Sequence, residues 1–253
     1  MTPPTEAMTA AQRPAEPPCD LRQRCRLPEL MDDPQLDEQQ HHAALQGLRR
    51  VNQISRSAGI LWPSLRRMAA SHGGQPLRVL DVGSGGGDVV VALARRAARA
   101  GLELQIDGCD VSQRAVDYAE QYAAEHSPAE HQFFVADALG NELPGQYDVI
   151  MCSLFLHHLS EDDGRQLLSR MAQACRSAVL VNDLRRTRFG YAMAVVGCRL
   201  LTRSPVVHVD GPLSVRAALS DHEALRLASE AGLAGAKLTR HWPQRFLLTW
   251  NKP

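Results

Sequence analysis

The spacing of apolar and polar positions changes character several times along the chain. Residues 1–28 are rich in Pro, Ala, Glu and Gln and hold little to bury, which predicts disorder. From Leu36 to Ser71 apolar residues recur at helical spacing: Leu36, Leu45, Leu48, Val51, Leu61, Leu65 and Met68. Pro63 in "LWPSL" suits the first turn of a fresh helix and not an interior. Residues 29–72 are therefore read as a helical lid ahead of the main fold.

Short apolar runs then alternate with helical stretches. "LRVLDVG" (77–83), "LQIDGCDVS" (104–112), "QFFVADA" (132–138), a run inside "YDVIMCSLFLHHL" (147–159) and "SAVLVNDL" (177–184) read as strands. Between them, "DVVVALARRAARA" stops at Gly101, Ser112 caps a helix, and "SEDD" (160–163) reads as a capping box. Strands alternating with helices predict an α/β fold with a parallel sheet covered on both faces. Residues 185–219 break the rhythm with an apolar helix followed by "SPVVHVDGPLSV", read as irregular and too long for a simple connection. Ser220 and Glu223 form a second capping box, Gly232 stops that helix, and two terminal strands follow, "AGAKLTRHW" and "RFLLTWN".

The candidate chemistry begins at "VLDVGSGGGDVV" (79–90), where a strand runs into a knot of glycines. The dinucleotide fingerprint G-x-G-x-x-G fails in both registers, because Asp88 or Val90 stands where the third glycine belongs. Asp88 would also sit in the first turn of the following helix, where it repels a pyrophosphate and competes for the same N–H groups. A cofactor without phosphate meets no such conflict. Asp81, at the end of the first strand, can receive a cation, and S-adenosylmethionine offers an ammonium and a sulfonium. Asp110, ending the second strand, is placed to accept from ribose hydroxyls, and Asp137, ending the third, can reach the adenine amino group.

At this point the sequence resembles the class I S-adenosylmethionine-dependent methyltransferases. The pieces that match are "VLDVGSGGGD", "GCDVS", "VADAL" and "YDVIMCSLFLHHL", in the family's order over roughly residues 77–184. The "LHHL" ending is similar to the subgroup holding ubiquinone- and menaquinone-pathway and natural-product O- and C-methyltransferases. The resemblance implies a Rossmann-like, doubly wound, seven-stranded and mostly parallel sheet with an antiparallel terminal strand, over residues 73–253, with a substrate-covering insert at about 185–219. It places Asp81, Gly83, Ser84, Gly85 and Gly87 around the methionine half of the cofactor. Asp110 and Val111 would meet ribose and adenine, Asp137 and Ala138 the adenine edge, and Cys152 and Ser153 the end of the fourth strand.

Methyl transfer rests largely on positioning, but a phenol or acidic carbon also benefits from a base, and histidine is the natural residue. His157 and His158 follow the fourth strand, and His208 with Asp210 forms a second candidate in the covering segment. Arg185 and Arg186 either bind an anionic group or meet solvent, with solvent expected for at least one. Asn52, Trp62 and the His41–His42 pair belong to the lid, with Trp62 in the core. No metal is expected: Asn182 and Asp183 supply oxygen at one strand end, but Cys152 and Ser153 supply no acid at the other.

The expected activity is methylation of a small aromatic or hydrophobic acceptor, at a phenolic or polyketide-like hydroxyl, of the kind found in secondary metabolism. C-methylation of a quinone-type ring, an NAD(P)-dependent reductase and a non-catalytic binder are the alternatives. Formal charge is zero, with 28 basic and 28 acidic residues, so nothing points to a nucleic-acid partner. Six cysteines lack any C-x-x-C pair and are read as free thiols of a reducing, cytoplasmic compartment. The apolar run Phe189 to Leu201 is too short to span a bilayer and carries Arg199. A monomer or homodimer without stable membrane insertion is expected.

Overall fold

A computed structural model describes residues 20–33, 35–140, 142–144 and 147–253. The disorder expected for residues 1–19 lies outside the described residues. The sheet contains β1 (Leu77–Val82), β2 (Leu104–Asp110), β3 (Phe133–Val135), β4 (Val149–Ser153), β5 (Ala178–Leu184), β6 (Lys237–His241) and β7 (Arg245–Asn251). Their spatial order is β3-β2-β1-β4-β5-β7-β6. Strands β1 to β5 pair in parallel, and β7 runs antiparallel between β5 and β6. The reversed strand is thus last in sequence but interior in space.

The apolar runs of β1, β4 and β5 are explained by burial on both faces. Leu80, Val82, Ile150, Cys152, Val179 and Val181 pack toward α5 (Glu161–Ala174) and α8 (Asp221–Glu230). Their neighbours Val79, Val149, Met151 and Leu180 point the other way, toward α2 (Ser57–Ala70), α3 (Asp88–Ala100) and α4 (Gln113–His126). The order of strand addition reverses between β1 and β4, and this switch point opens a crevice at their carboxyl ends, where open α/β sheets bind ligands.

A third, smaller cluster caps that crevice. Ala44 of α1 (Glu38–Ile54), Cys198 of α6 (Arg188–Leu201) and Val206 and Val207 of α7 (Pro205–Ala217) pack with Leu30, Met31, Leu36 and Leu48. Two local expectations are corrected here. "SPVVHVDGPLSV" is not irregular but lies almost wholly in α7, with Pro205 in the first turn and Pro212 inside. Gly211 is a packing residue and not a turn, because a Cβ there would collide with Cys198 Sγ across the α6–α7 contact. Pro63 does not start a helix: α2 begins at Ser57, after Arg56 takes a left-handed conformation with φ 59°.

Residues 20–28, expected to be disordered, are also held in place. Arg24 donates from Nε to the Ala217 carbonyl and from Nη2 to the carbonyls of His157 and Leu159, and Cys25 N–H donates to Arg216 O. Composition hides this, because the strap is fixed by backbone carbonyls and not by apolar burial. At α5 the capping box is half formed. Ser160 accepts from Asp163 N–H, but the shorter Asp163 carboxylate accepts from the Ser160 hydroxyl and not from its backbone N–H. Ser220 and Glu223 make the full box. Cys109, Cys152, Cys175 and Cys198 are buried free thiols, whereas Cys25 is disulfide-bonded, against the expectation.

Candidate active site

A cavity of ≈ 870 Å³ lies between the strand ends and the helical cap. Its floor is the glycine turn. Gly83 takes φ 68°, and the N–H groups of Gly83 and Ser84 both donate to Cys109 O. Gly85 N–H donates to Asp110 Oδ2 and Ser112 N–H to Asp110 Oδ1, both at 3.0 Å. The carboxylate is therefore fixed at the tip of β2 with lone pairs still free. A Cβ on Gly83 would lie 2.6 Å from the Phe155 ring. Gly83→Ala combines that clash with a left-handed backbone costing about 1–2 kcal/mol. A melting temperature lowered by several degrees is expected, together with weakened ligand binding; unchanged thermal melts would show that the turn tolerates a side chain.

Around this turn the unpaired groups are acidic. Asp81 is 1% exposed, and its Oδ1 has no partner among the described residues. Burial raises its carboxyl well above the ordinary range, and the charges of Asp88 and Asp110 raise it further. Burial likewise pushes Asp88 up to about 6, against the pull of an Asn52 hydrogen bond and the charges of Arg49 and Arg245. Ser84 Oγ is also buried without a partner. Such a floor suits a cation and rejects a phosphate, since Asp88 occupies the first turn of α3.

Asp81, Gly83, Ser84, Gly85, Asp110, Val111, Ser153, His157 and His158 all line the cavity. The remaining candidates do not. Gly87 caps α3, and a Cβ there would meet Ala119 and Phe133. Asp137 turns back to accept from Leu139 N–H, and Ala138 is buried in the main core. The third strand ends at Val135, two residues short of what that reading needed. Cys152 points into the core on the α5 side, where burial raises its thiol; Ser153, one residue on, faces the cavity.

Beyond β4 the chain turns sharply. Leu154 takes φ 59°, uncommon for a residue with a Cβ, and donates its N–H to Asn182 O. This brings the short 3-10 turn Leu156–His158 against the end of β5. His157, 3% exposed, places Nδ1 2.6 Å from Asp183 Oδ1, and its own N–H donates to Asp183 Oδ2. Burial would raise Asp183, but the His157 charge and hydrogen bonds from His157 and Leu184 hold it below the ordinary range. An ionised Asp183 can only accept, so Nδ1 carries a proton, and in the neutral ring the lone pair is on Nε2.

The other candidate bases differ. His158 Nδ1 lies 3.5 Å from Asp32 Oδ2 and 3.9 Å from Glu29 Oε2. Burial opposes its charge, but Asp32, Glu29 and Asp183 outweigh burial and push it up to about 9. It is a cation at neutral pH and ties down the turn at residues 29–32. Because its value is raised above the unfolded one, its stabilisation is complete below about pH 6.5 and lost as pH rises through about 9. The melting temperature should fall across that window, and less steeply in His158→Gln; equal slopes would remove His158 as the cause.

His208 and Asp210 do not form an oriented base. His208 Nε2 bonds Thr202 O, while Asp210 accepts from the N–H groups of Leu30 and Met31. Arg185 and Arg186 are both paired, the first with Asp221 and the second with Glu223 and Ala218 O, so neither is left to solvent. Among the described residues Glu29, His157 and His158 place potential metal-ligand atoms within 4.8 Å of one another. Ser214 donates to Glu29, and Asp32 and Asp183 hold the histidines, so hydrogen bonding accounts for each.

Sequence reasoning missed Asp183 as the partner of His157 and missed Arg245 altogether. Arg245 is 2% exposed at the head of β7 and lines the same cavity. The available signal was a charged residue opening the otherwise apolar "RFLLTW".

Comparisons with known proteins agree with this geometry. Residues 79–178 match a family model described as methyltransferase domain. A ubiquinone biosynthesis O-methyltransferase of Leptothrix cholodnii is 29% identical over 135 residues, covering 50% of this chain and 52% of that protein. The chain thus spans about half the length of that relative. An O-methyltransferase family 2 protein from Planctomyces limnophilus, solved in complex with apigenin, superposes with a TM-score of 0.60 at 14% identity, covering 87% of this chain and 63% of the other. Human N-acetylserotonin methyltransferase in complex with S-adenosylmethionine gives 0.57 at 17% identity, covering 83% and 55%. No helix among the described residues is long and apolar enough to cross a membrane. Motif order, sheet topology and matched segment together make residues 79–178 a methyltransferase domain of the class I, S-adenosylmethionine-dependent family.

Proposed function

We propose that the protein moves a methyl group from S-adenosylmethionine to the hydroxyl of a small phenolic acceptor. The observation that carries this reading is the His157–Asp183 pair, 2.6 Å apart and buried at the wall of a cavity whose floor is acidic. Asp81 would receive the ammonium, and Asp110 the ribose hydroxyls. Val111 lines the cavity yet is 70% exposed, which suits an apolar surface left for adenine. The relative solved with apigenin, a phenol-bearing ligand, supports an acceptor of that class.

When bound, the cofactor supplies a methyl group on a sulfonium, which departs as a neutral thioether. The chain's share is to present the acceptor and remove its proton. His157 Nε2 takes the hydroxyl proton as the oxygen attacks, and Asp183 stabilises the imidazolium that forms. Leu45, Leu48, Met193, Ala194 and Leu201 of the cap give the acceptor apolar walls. Closing the cavity from water holds the reacting atoms in line, where much of the rate arises.

The test is a methyl-donor assay on a phenolic panel with mass spectrometry of the product, paired with calorimetric binding of S-adenosylmethionine and NAD(P)H. Cofactor binding with an O-methylated product is expected. Binding without product on any acceptor would reduce the protein to a binder, and tight NAD(P)H binding alone would overturn the cofactor.

A further inference from the structure

Arg245 is the one large cation of the cavity wall that burial isolates. It is 2% exposed, and Nη2 donates to Ser55 Oγ, while Nε and Nη1 have no hydrogen-bond partner among the described residues. Other arginines of the same wall are engaged. Arg185 pairs with Asp221, Arg114 donates to Leu36 O, and Arg49 lies 4.8 Å from the centroid of the Tyr122 ring. A buried guanidinium without a carboxylate costs several kcal/mol and is retained only where something offsets it. Burial lowers its proton affinity, to about 10, although the charges of Asp183 and Asp88 act the other way.

We propose that Arg245 receives a carboxylate, that of the acceptor, so that the substrate is a phenolic acid. The inference rests on the proposed methyl transfer to a phenol and narrows its substrate class. Placement argues for the acceptor over the cofactor's own carboxylate. In β7, Arg245 pairs with Leu184, the residue after Asp183, so the cation stands at the strand end that holds the partner of the base, its side chain leaving the sheet on the α2–α3 face. The backbone of Asp81, on β1, is separated from that of β7 by β4 and β5, three strand spacings or about 14 Å, and the acid of the glycine turn that acts on the guanidinium is Asp88, at the start of α3. The acceptor's apolar body then lies along α6, its hydroxyl at His157 and its acid at Arg245.

Binding is the readout, so failure of turnover does not bear on the result. Titration of the wild-type protein, saturated with S-adenosylhomocysteine, with matched hydroxybenzoates and hydroxycinnamates and their methyl esters should show an acid at least tenfold tighter than its ester. Arg245→Met should abolish that preference, and Arg245→Lys should restore part of it. S-adenosylmethionine and its decarboxylated form, titrated in parallel, should respond equally to Arg245→Met. No acid preferred over its ester in the wild type would overturn the inference, even if the variants fail to fold. An Arg245→Met loss confined to the carboxylate-bearing cofactor would move the carboxylate to the cofactor and overturn the assignment to the acceptor. Failure of S-adenosylmethionine to bind at all would instead strike the cofactor reading.

Discussion

Replacing His157 by alanine should lower turnover by roughly 10²–10⁴-fold, the usual share of a general base, with S-adenosylmethionine affinity changed by less than about threefold. The split follows from position: His157 is held on β5 through Asp183, away from the acids of β1 and β2 that would seat the cofactor. Asp183→Asn tests the same pair without removing the ring. An amide at that place can present its NH₂ group to Nδ1, which fixes the proton on Nε2 and leaves no base facing the acceptor. The loss should approach that of His157→Ala, and the two changes together should cost little more than either alone. His208→Gln serves as the control, because His208 bonds Thr202 O and does not line the cavity. Full turnover in both His157→Ala and Asp183→Asn would mean that positioning alone drives the reaction.

What the sequence disclosed depended on how local each feature is. The strands β1, β4 and β5 were legible because double burial makes them short, largely apolar runs. The glycine turn was legible because Asp81 and Asp88 are fixed by their places beside a strand end and a helix start. The features it did not disclose share one cause. Whether Asp137 faces adenine, or Cys152 a cofactor, depends on where a strand stops and which face a residue takes. β3 ends at Val135, and the pleat turns Cys152 inward. The Gly211–Pro212 pair carries a turn composition that tertiary contact with Cys198 overrides.

Pairings between distant segments were the least legible. His157 and Asp183 are 26 residues apart and meet only through adjacent parallel strands and the left-handed turn at Leu154. The strap at 20–28 is held by Arg24 across more than 130 residues. Arg245 owes its isolation to Ser55, just after α1, and to β5, which no window around "RFLLTW" contains.

Asp81→Asn should produce effects of opposite sign on binding and on folding. The carboxyl of Asp81 is raised well above the ordinary range by burial, with Asp88 and Asp110 adding to the shift, so the ligand-free protein bears the cost of that site. The neutral isostere removes the cost, and the cofactor-free melting temperature should hold or rise. A charge-assisted hydrogen bond to the cofactor ammonium is worth about 1.5–3 kcal/mol, so affinity for S-adenosylmethionine should fall by roughly 10–150-fold. The pH dependence follows from the same shift. Binding a cation favours the ionised carboxylates, so wild-type affinity should weaken as pH falls through about 6, where Asp88 takes a proton, and the raised carboxyl of Asp81 adds to the loss. Asp81→Asn should flatten the part of that profile due to Asp81. Calorimetric titration between pH 5.5 and 8.5 reads both effects, and a variant that binds as tightly as the wild type would show that the cofactor's positive charge lies elsewhere.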